Sequence, residues 1–354
     1  MGKRAKTDEL LPELVKLAIP TLKQAERETA RGRGAKPLIP DWVIAAMILI
    51  VVLKKKKSKA SQLRFLCERR RDIAKWLGCT KFPSRASYYR RYRRAHQIYK
   101  TAIRLQGEQA IKEGIVDPEV VAGDKSLIQA KGQPWHVRVR RVGKIPAGVD
   151  TQAGWGYSDH DNWVYGFAYE VVVTATPGTV VFPLLASFAS ANTGETRTFP
   201  AKVPLLPLST KKVLLDSGYD SNYLGELIEF DEHGMPTGRR LLCPPNPRNN
   251  KRPKTKPCNA DASRAHSRKL RAERIEHYQS KKGRRLYAQR SKTVEPFNQW
   301  FKSLFELEER VWHRGLDNNQ TLVLCAVFAY QLLVRYNHRC GNENGRIKWI
   351  MDAL

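Results

Sequence analysis

Two aspartates in the middle of the chain each end a short apolar run. Asp124 closes the run EVVAGD, and Asp216 closes the run KKVLLD. We predict that each run is a strand, and parallel neighbours would bring both carboxylates to the sheet edge where ligands bind in α/β proteins. Two carboxylates repel each other unless a cation neutralises them, and Mg²⁺ favours carboxylates together with phosphate oxygens. The pair therefore indicates metal-dependent cleavage of a phosphodiester.

A third carboxylate would complete such a site, and Glu295 is the best candidate. Pro296 follows it, and proline is tolerated in the first turn of a helix, so we predict a helix that begins near Thr293. The helix dipole would then favour Glu295. Glu306 is a fallback about three turns farther along. The alternative is that strand-end aspartates cap turns and helices, which is also how we interpret Asp220, just before the next predicted helix.

The elements around these acids alternate between strands and helices. Runs of β-branched and aromatic residues at 164–176 and 179–189 flank Pro177-Gly178 and predict a hairpin. Helices are predicted at 196–206 and 221–230 and a last strand at 241–243, so the order β-β-β-α-β-α-β indicates an α/β layered core. Residues 244–285 lack hydrophobic periodicity and predict a basic loop with a short helix near 261–278. Two further helices are predicted, an amphipathic one over 294–304 and an apolar one over 318–336.

Residues 1–114 predict an all-α region before this core. Helices are expected at 8–29, from Asp41 as the N-cap to Leu53, at 58–77 with Gly78 as the stop, and from Ser84 onward. Three short helices with a basic last one have the outline of a helix-turn-helix DNA-binding module. The alternative is a small helical domain with a solvated basic face. We expect the basic cluster to bind phosphates rather than to read bases; it consists of Arg90, Arg91, Arg93 and Arg94.

The net charge of +29 comes from two basic segments. Residues 54–112 hold 19 Lys and Arg against 3 acids, and residues 239–292 hold 18 against 3. Residues 115–236 between them hold 10 against 14 and are slightly acidic. A polyanion is the simplest partner for such an excess, while a hydrophobic content of 42% excludes a disordered basic tail.

The cysteines and the apolar runs also indicate the cellular compartment in which the protein works. None of the six cysteines forms a CxxC pair, so neither a structural zinc site nor a secreted disulfide framework is expected. The longest apolar run, Trp42–Leu53, is too short to span a bilayer. We expect an intracellular protein with no membrane partner.

Motifs over most of the chain resemble those of DDE-type transposases of bacterial insertion sequences, whose catalytic domain has the ribonuclease H-like fold. GDKSL at 123–127 resembles the first-aspartate motif, WVYGF at 163–167 the strand that follows it, and LLDSGYD at 214–220 the second-aspartate motif. Tyr287, Arg290, Glu295 and Lys302 resemble the family's Tyr/Arg/Glu/Lys signature. The resemblance covers roughly residues 40–340, with most of its weight in 115–340.

The resemblance implies a role for each matching residue. Asp124, Asp216 and Glu295 would be catalytic and would bind two Mg²⁺ ions, with Mn²⁺ able to substitute. Lys302 lies seven residues after Glu295 and shares its helix face, so it would contact DNA near the scissile phosphate, as would Tyr287 and Arg290. One departure concerns Arg290, since four residues separate it from Glu295 where a common form of the signature has three.

We therefore expect a ribonuclease H-like mixed sheet with flanking helices in residues 115–354, with a basic insertion at about 244–285, after a helical DNA-binding region in 1–114. The expected function is DNA transposition, by metal-dependent cleavage at transposon ends and strand transfer into target DNA. The partners would be double-stranded DNA and a second copy of the chain, in a bacterial cytoplasm at the nucleoid. The alternatives are a nuclease without strand transfer and a DNA-binding protein without activity.

Overall fold

The computed structural model describes residues 7–29, 37–135, 145–247, 262–343 and 345–354. Helices dominate both ends of the chain, and a six-stranded sheet lies between them. The N-terminal helices are α1 Thr7–Thr29, α2 Asp41–Leu53, α3 Lys59–Glu68, α4 Arg70–Leu77, α5 Arg85–Tyr92 and α6 His96–Lys112. The later helices are α7 Glu195–Thr198, α8 Asn222–Glu229, α9 Ala262–Gln279, α10 Lys281–Tyr287, α11 Gln289–Leu304, α12 Leu316–Arg339 and α13 Lys348–Ala353.

Local signals explain some of the N-terminal helix ends. Ser58 begins α3 with a capping box, and Gly78 ends α4 in the left-handed conformation at φ 60°. The prediction of a single helix over 58–77 is wrong, because the helix is interrupted at Arg69 between α3 and α4. The expected N-cap role of Asp41 is also wrong. Pro40 holds that position, and the Asp41 carboxylate instead accepts from Nε of Arg91 at 2.6 Å.

One continuous hydrophobic core joins the N-terminal helices to the sheet. Every residue of α2 from Val43 to Leu53 is buried, and α12 packs against α2, α6 and the strand Pro183–Ser190. Among the described residues, no helix combines the length and the apolar character needed to cross a membrane.

The strands are β1 Val120–Gln129, β2 Gly154–Ser158, β3 Asn162–Thr174, β4 Pro183–Ser190, β5 Lys212–Leu214 and β6 Arg240–Leu242. The sheet order is β2-β3-β1-β5-β6, with β4 also paired to β3. The predicted hairpin is confirmed as β3 and β4, and β2 is an additional strand that the sequence pattern did not indicate. Ladders β1–β5 and β5–β6 are parallel, whereas β3 runs antiparallel to all its partners.

Two boundaries near the predicted acids differ from expectation. Strand β1 continues five residues beyond Asp124, because it leaves β5 and keeps pairing with β3. Helix α11 begins at Gln289 rather than near Thr293, so Glu295 lies in its second turn and Pro296 lies inside the helix. The basic segment contains the predicted short helix as α9, and α10 follows it. Residues 248–261 of the predicted loop lie outside the described residues.

Candidate active site

Asp124 and Asp216 occupy equivalent positions on neighbouring parallel strands. Ala122 pairs with Leu214 at the last step of the β1–β5 ladder, and each aspartate lies two residues farther along its own segment. The packing here is close: a Cβ on Gly123 would lie 2.5 Å from the Leu215 side chain. A larger residue before Asp124 would therefore require the Leu215 and Phe199 side chains to shift. The β1–β5 pairing ends directly before this point, at Ala122 and Leu214.

The chain after Asp216 turns sharply and is held by that aspartate. Its Oδ1 accepts from the backbone N–H of Gly218 at 2.8 Å and so caps the 3-10 turn Ser217–Tyr219. The thiol of Cys243, just after β6, donates to the Asp216 carbonyl oxygen at 2.8 Å. The capping interpretation thus applies to one oxygen of Asp216, while Oδ2 lies 3.8 Å from Nη2 of Arg290.

Arg290 brings the three predicted acids together. Its Nη2 lies 2.5 Å from Oδ1 of Asp124 and 3.8 Å from Oδ2 of Asp216, and its Nη1 lies 2.8 Å from Oε1 of Glu295. Both Oδ1 of Asp124 and Oδ2 of Asp216 contact Nη2. The distance between these two oxygens therefore cannot exceed the sum of their distances to Nη2. The guanidinium is buried, with a relative exposure of 8% for the residue, whereas Glu295 is exposed.

Burial and charge act in opposite directions on these groups. Burial raises the pKa of Asp124 to about 7, with Asp216 adding to the shift and Arg290 opposing it. Burial likewise raises the pKa of Asp216, again against Arg290. Burial lowers the pKa of Arg290, but Asp124 and the other acids outweigh it and the net shift is upward. Arg290 is therefore the resident cation that opposes the protonation that burial favours at Asp124 and Asp216.

The acids suit a hard cation by chemistry, but a guanidinium fills the space between them. Mg²⁺ takes carboxylate oxygens, and three carboxylates converge here on two nitrogen atoms of one side chain. As arranged, no three His, Cys, Asp or Glu side chains of the described residues form a group that could hold a metal ion. The donor set fits a divalent cation only if Arg290 withdraws from it.

Asn298 belongs to the same site and was missed from the sequence. Its Nδ2 donates to Oδ2 of Asp124 at 2.7 Å. The only sequence signal is spacing, since Asn298 lies one helical turn beyond Glu295 and one turn before Lys302. An asparagine without a motif gives no other sign of a functional role.

The remaining signature residues lie on the same side of the site. Lys302 is half-buried, and its Nζ lies 3.9 Å from Oδ2 of Asp161 on the β2–β3 hairpin. Burial lowers the pKa of Lys302, with Asp161 and Asp124 opposing. Tyr287 ends α10, where its ring packs edge-on against Tyr278 at 5.1 Å.

Several other predicted residues lie elsewhere. Glu306 follows α11 with a positive φ of 51° and pairs with Lys57 at 2.6 Å, so it cannot replace Glu295. Asp220 does not cap α8, whose N-cap is Ser221. It accepts instead from Nε and Nη2 of Arg271 at 3.1 and 2.5 Å, which ties the basic helix α9 to the Asp216 loop.

The arginines of the N-terminal cluster are not equivalent. Arg91 differs from the other three, because it is half-buried and ion-paired with Asp41. Arg90, Arg93 and Arg94 are exposed. These three are able to meet a phosphate, while Arg91 joins α5 to α2.

Comparison with known proteins gives one family. The family model described as "Transposase DDE domain" matches residues 115–332. No curated protein matches the chain. Among solved structures, the chain is similar to the piggyBac transposase in a cryo-EM structure of its synaptic complex with hairpin DNA. The identity is 9% and the TM-score 0.36, over 98% of this chain and 78% of that chain. At that level of similarity, nothing about this chain follows from that structure.

Proposed function

The chain belongs to the transposase DDE domain family, and on that basis we propose that it is a DNA transposase acting through Asp124, Asp216 and Glu295. The observation that carries the proposal is the convergence of these three carboxylates on Arg290. Nothing in the sequence joins them except the order of their motifs. Their meeting at the open end of the β1–β5 ladder matches the place where α/β sheets bind ligands.

The cofactor of this proposal is a pair of Mg²⁺ ions, for which Mn²⁺ can substitute, held by the three carboxylates. Such ions activate a water and neutralise charge on the leaving oxygen. The first reaction hydrolyses a phosphodiester at the transposon end and frees a 3′-hydroxyl. That hydroxyl then attacks a target phosphorus, forms a new P–O bond and releases a target 3′-oxygen.

The surrounding residues of the chain position acids and DNA. The Gly218 N–H and the Cys243 thiol fix the turn that carries Asp216. Arg290 neutralises the acids in the free protein and transfers to a backbone phosphate when DNA and cations arrive. Lys302 and Tyr287 contact the DNA backbone near the scissile bond, since a cation in that position can hold a phosphate.

Double-stranded DNA is the proposed partner, and the accessible arginines of residues 85–94 are its proposed contacts outside the catalytic site. We assign DNA binding to residues 1–114 and catalysis to a ribonuclease H-like domain in 115–354. A homodimer would bring two transposon ends together. Support for the DNA assignment comes from the +29 charge and its concentration in two segments.

The test is cleavage and joining of DNA that carries the element's ends, with Mg²⁺ present. Asp124→Asn and Asp216→Asn should each abolish both reactions, because an amide cannot replace a charged ligand. Glu232→Gln is the matched control, since Glu232 is exposed and its ion-pair partner is His233 rather than Arg290. Full activity of both aspartate variants would refute the site. Nicked DNA without joined product would indicate a nuclease, and metal-independent binding alone a protein without activity.

A further inference from the structure

Asn298 is a polar residue that the proposed chemistry leaves without a role. It is buried on α11, with a relative exposure of 7%. Its Nδ2 holds Oδ2 of Asp124, while Oδ1 of Asp124 contacts Arg290. A carboxylate only accepts hydrogen bonds, so the amide nitrogen is the atom that must face it. Two residues of α11 therefore each contact one carboxylate oxygen of Asp124: Arg290 contacts Oδ1 and Asn298 contacts Oδ2.

The position of Asn298 is fixed by its neighbours. Phe297 packs edge-on against Tyr330 of α12 at 5.0 Å. The Tyr169 hydroxyl donates to the Asn298 carbonyl oxygen at 3.5 Å, and Tyr169 lies opposite Ser126 in the β1–β3 ladder. Helix α11 is thus anchored to β3, to α12 and through Asn298 to β1, which leaves the amide little freedom to leave Asp124.

The amide oxygen of Asn298 indicates that this side chain does more than fill space in the core. The amide oxygen Oδ1 is buried and has no hydrogen-bond partner among the described residues. An unpaired buried polar atom costs about 1–3 kcal/mol, and leucine, of similar size, would avoid that cost. An unsatisfied buried atom of this kind needs an explanation, and local strain or a catalytic role can supply one.

We propose that Asn298 is a positioning residue that fixes the rotamer of Asp124. By holding Oδ2, it directs Oδ1 toward the space shared with Asp216 and Glu295, where Arg290 now lies. It acts through Asp124 and does not touch the reacting atoms. This inference rests on the proposed function, because it gives Asp124 the task of binding a divalent cation.

The test is Mn²⁺ binding by the full chain, followed through the electron paramagnetic resonance signal of free Mn²⁺. Asn298→Leu should raise the Kd for Mn²⁺ by about 10- to 100-fold, as loss of a residue that orients a metal ligand commonly does. Its resistance to urea should change little, because removal of the unpaired Oδ1 offsets the loss of the hydrogen bond to Oδ2 of Asp124. Gln299→Leu is the matched control on the next, exposed position and should change neither quantity. If Asn298→Leu fails to fold, Asn298→Ala removes the same donor and should show the same loss of affinity.

The outcomes separate this inference from the proposed function. Wild-type Mn²⁺ affinity in Asn298→Leu or Asn298→Ala, together with lost affinity in Asp124→Asn, would overturn the role of Asn298 and leave the metal site standing. Absence of saturable Mn²⁺ binding in the wild-type protein, or equal binding in Asp124→Asn and Asp216→Asn, would overturn both.

Discussion

Arg290 makes ion pairs with three acids that come from separate motifs. Its partner Asp124 lies 166 residues away in sequence, so no local pattern reveals the pairing. Three like charges close together are unfavourable in the absence of a cation. The guanidinium is thus the counter-ion of these acids, which is a different task from the DNA contact that the family resemblance implies.

Replacing Arg290 by glutamine should therefore destabilise the protein most when no divalent cation is present. We expect Arg290→Gln to lower the free energy of unfolding in EDTA by about 1–3 kcal/mol, since it leaves partly buried charges unpaired. Addition of Mg²⁺ should restore more stability to this variant than to the wild type. Urea unfolding with EDTA and with Mg²⁺ measures both effects. Lys292→Gln, exposed two residues farther along α11, is the control, and an Arg290→Gln protein that responds to Mg²⁺ like this control would contradict the role.

At the level of single residues, the sequence predicts the acids but not the contacts that hold them. Asp124 and Asp216 are predicted because each ends an apolar run, and their equivalent register beyond the β1–β5 ladder agrees with that reasoning. Asn298 and the counter-ion role of Arg290 depend on how α11 lies against β1. That packing is set by contacts distant in sequence, such as Tyr169 with Phe301 at 5.1 Å.

Among the elements, the predicted strands and helices near the acids are mostly correct and their ends are not. Asp124 does not end its strand, because the partner β3 continues after β5 has turned away. Helix α11 begins before Thr293 because α10 leads directly into it, and Pro296 is accommodated inside the helix. Tertiary context decides both boundaries, which is why local patterns do not predict them.

Helix α5 is joined to the segment before α12 by a buried histidine. The Tyr92 hydroxyl lies 3.0 Å from Nε2 of His313. Burial lowers the pKa of His313 to about 3, with Lys59 and Lys131 adding to the shift. A histidine in the unfolded chain titrates near 6.5, so between these two values the unfolded chain binds a proton that the folded protein does not.

The free energy of unfolding should consequently fall as the pH drops below about 6.5, by up to about 1.4 kcal/mol per pH unit from this group. His313→Gln should remove that contribution. Urea unfolding at pH 7 and at pH 5 gives the difference for each protein. The control is His233→Gln, because His233 is exposed and its loss should leave the pH dependence as in the wild type. An unchanged pH dependence in His313→Gln would show that His313 is not the group responsible.

For the whole molecule, charge and core have different distributions. The basic excess lies in two segments on either side of a slightly acidic one, yet a single hydrophobic core runs through the N-terminal helices and the sheet. The sequence pattern predicts a boundary at residue 114, but the hydrophobic core continues across it. The boundary is thus a proposed division of function between two parts that pack together. A DNA-binding region built in this way would hold a fixed orientation to the catalytic acids.

Binding to duplex DNA should depend on salt through the exposed arginines after α5. We expect Arg93→Ala with Arg94→Ala to weaken binding to all duplexes alike. The magnitude of the slope of log affinity against log salt should decrease by about 0.9 for each phosphate that the protein no longer neutralises. Fluorescence anisotropy of a labelled duplex across a range of salt concentrations measures the slope. Arg91→Ala is the comparison, since its ion pair with Asp41 predicts reduced stability with the slope retained. A double variant that keeps the wild-type slope would remove these residues from the DNA interface.

The burial of α2 also has a consequence for how the protein is made. Its residues from Val43 to Leu53 are buried, in part by α12, which begins only at Leu316. At about 5–20 residues per second, a ribosome needs tens of seconds to reach α12 after it has finished α2. During that interval one of the most apolar segments of the chain lacks its final partner, and transiently exposed apolar surface favours aggregation. A chain that terminates before α12 should be aggregated or degraded rather than accumulate as a free DNA-binding fragment.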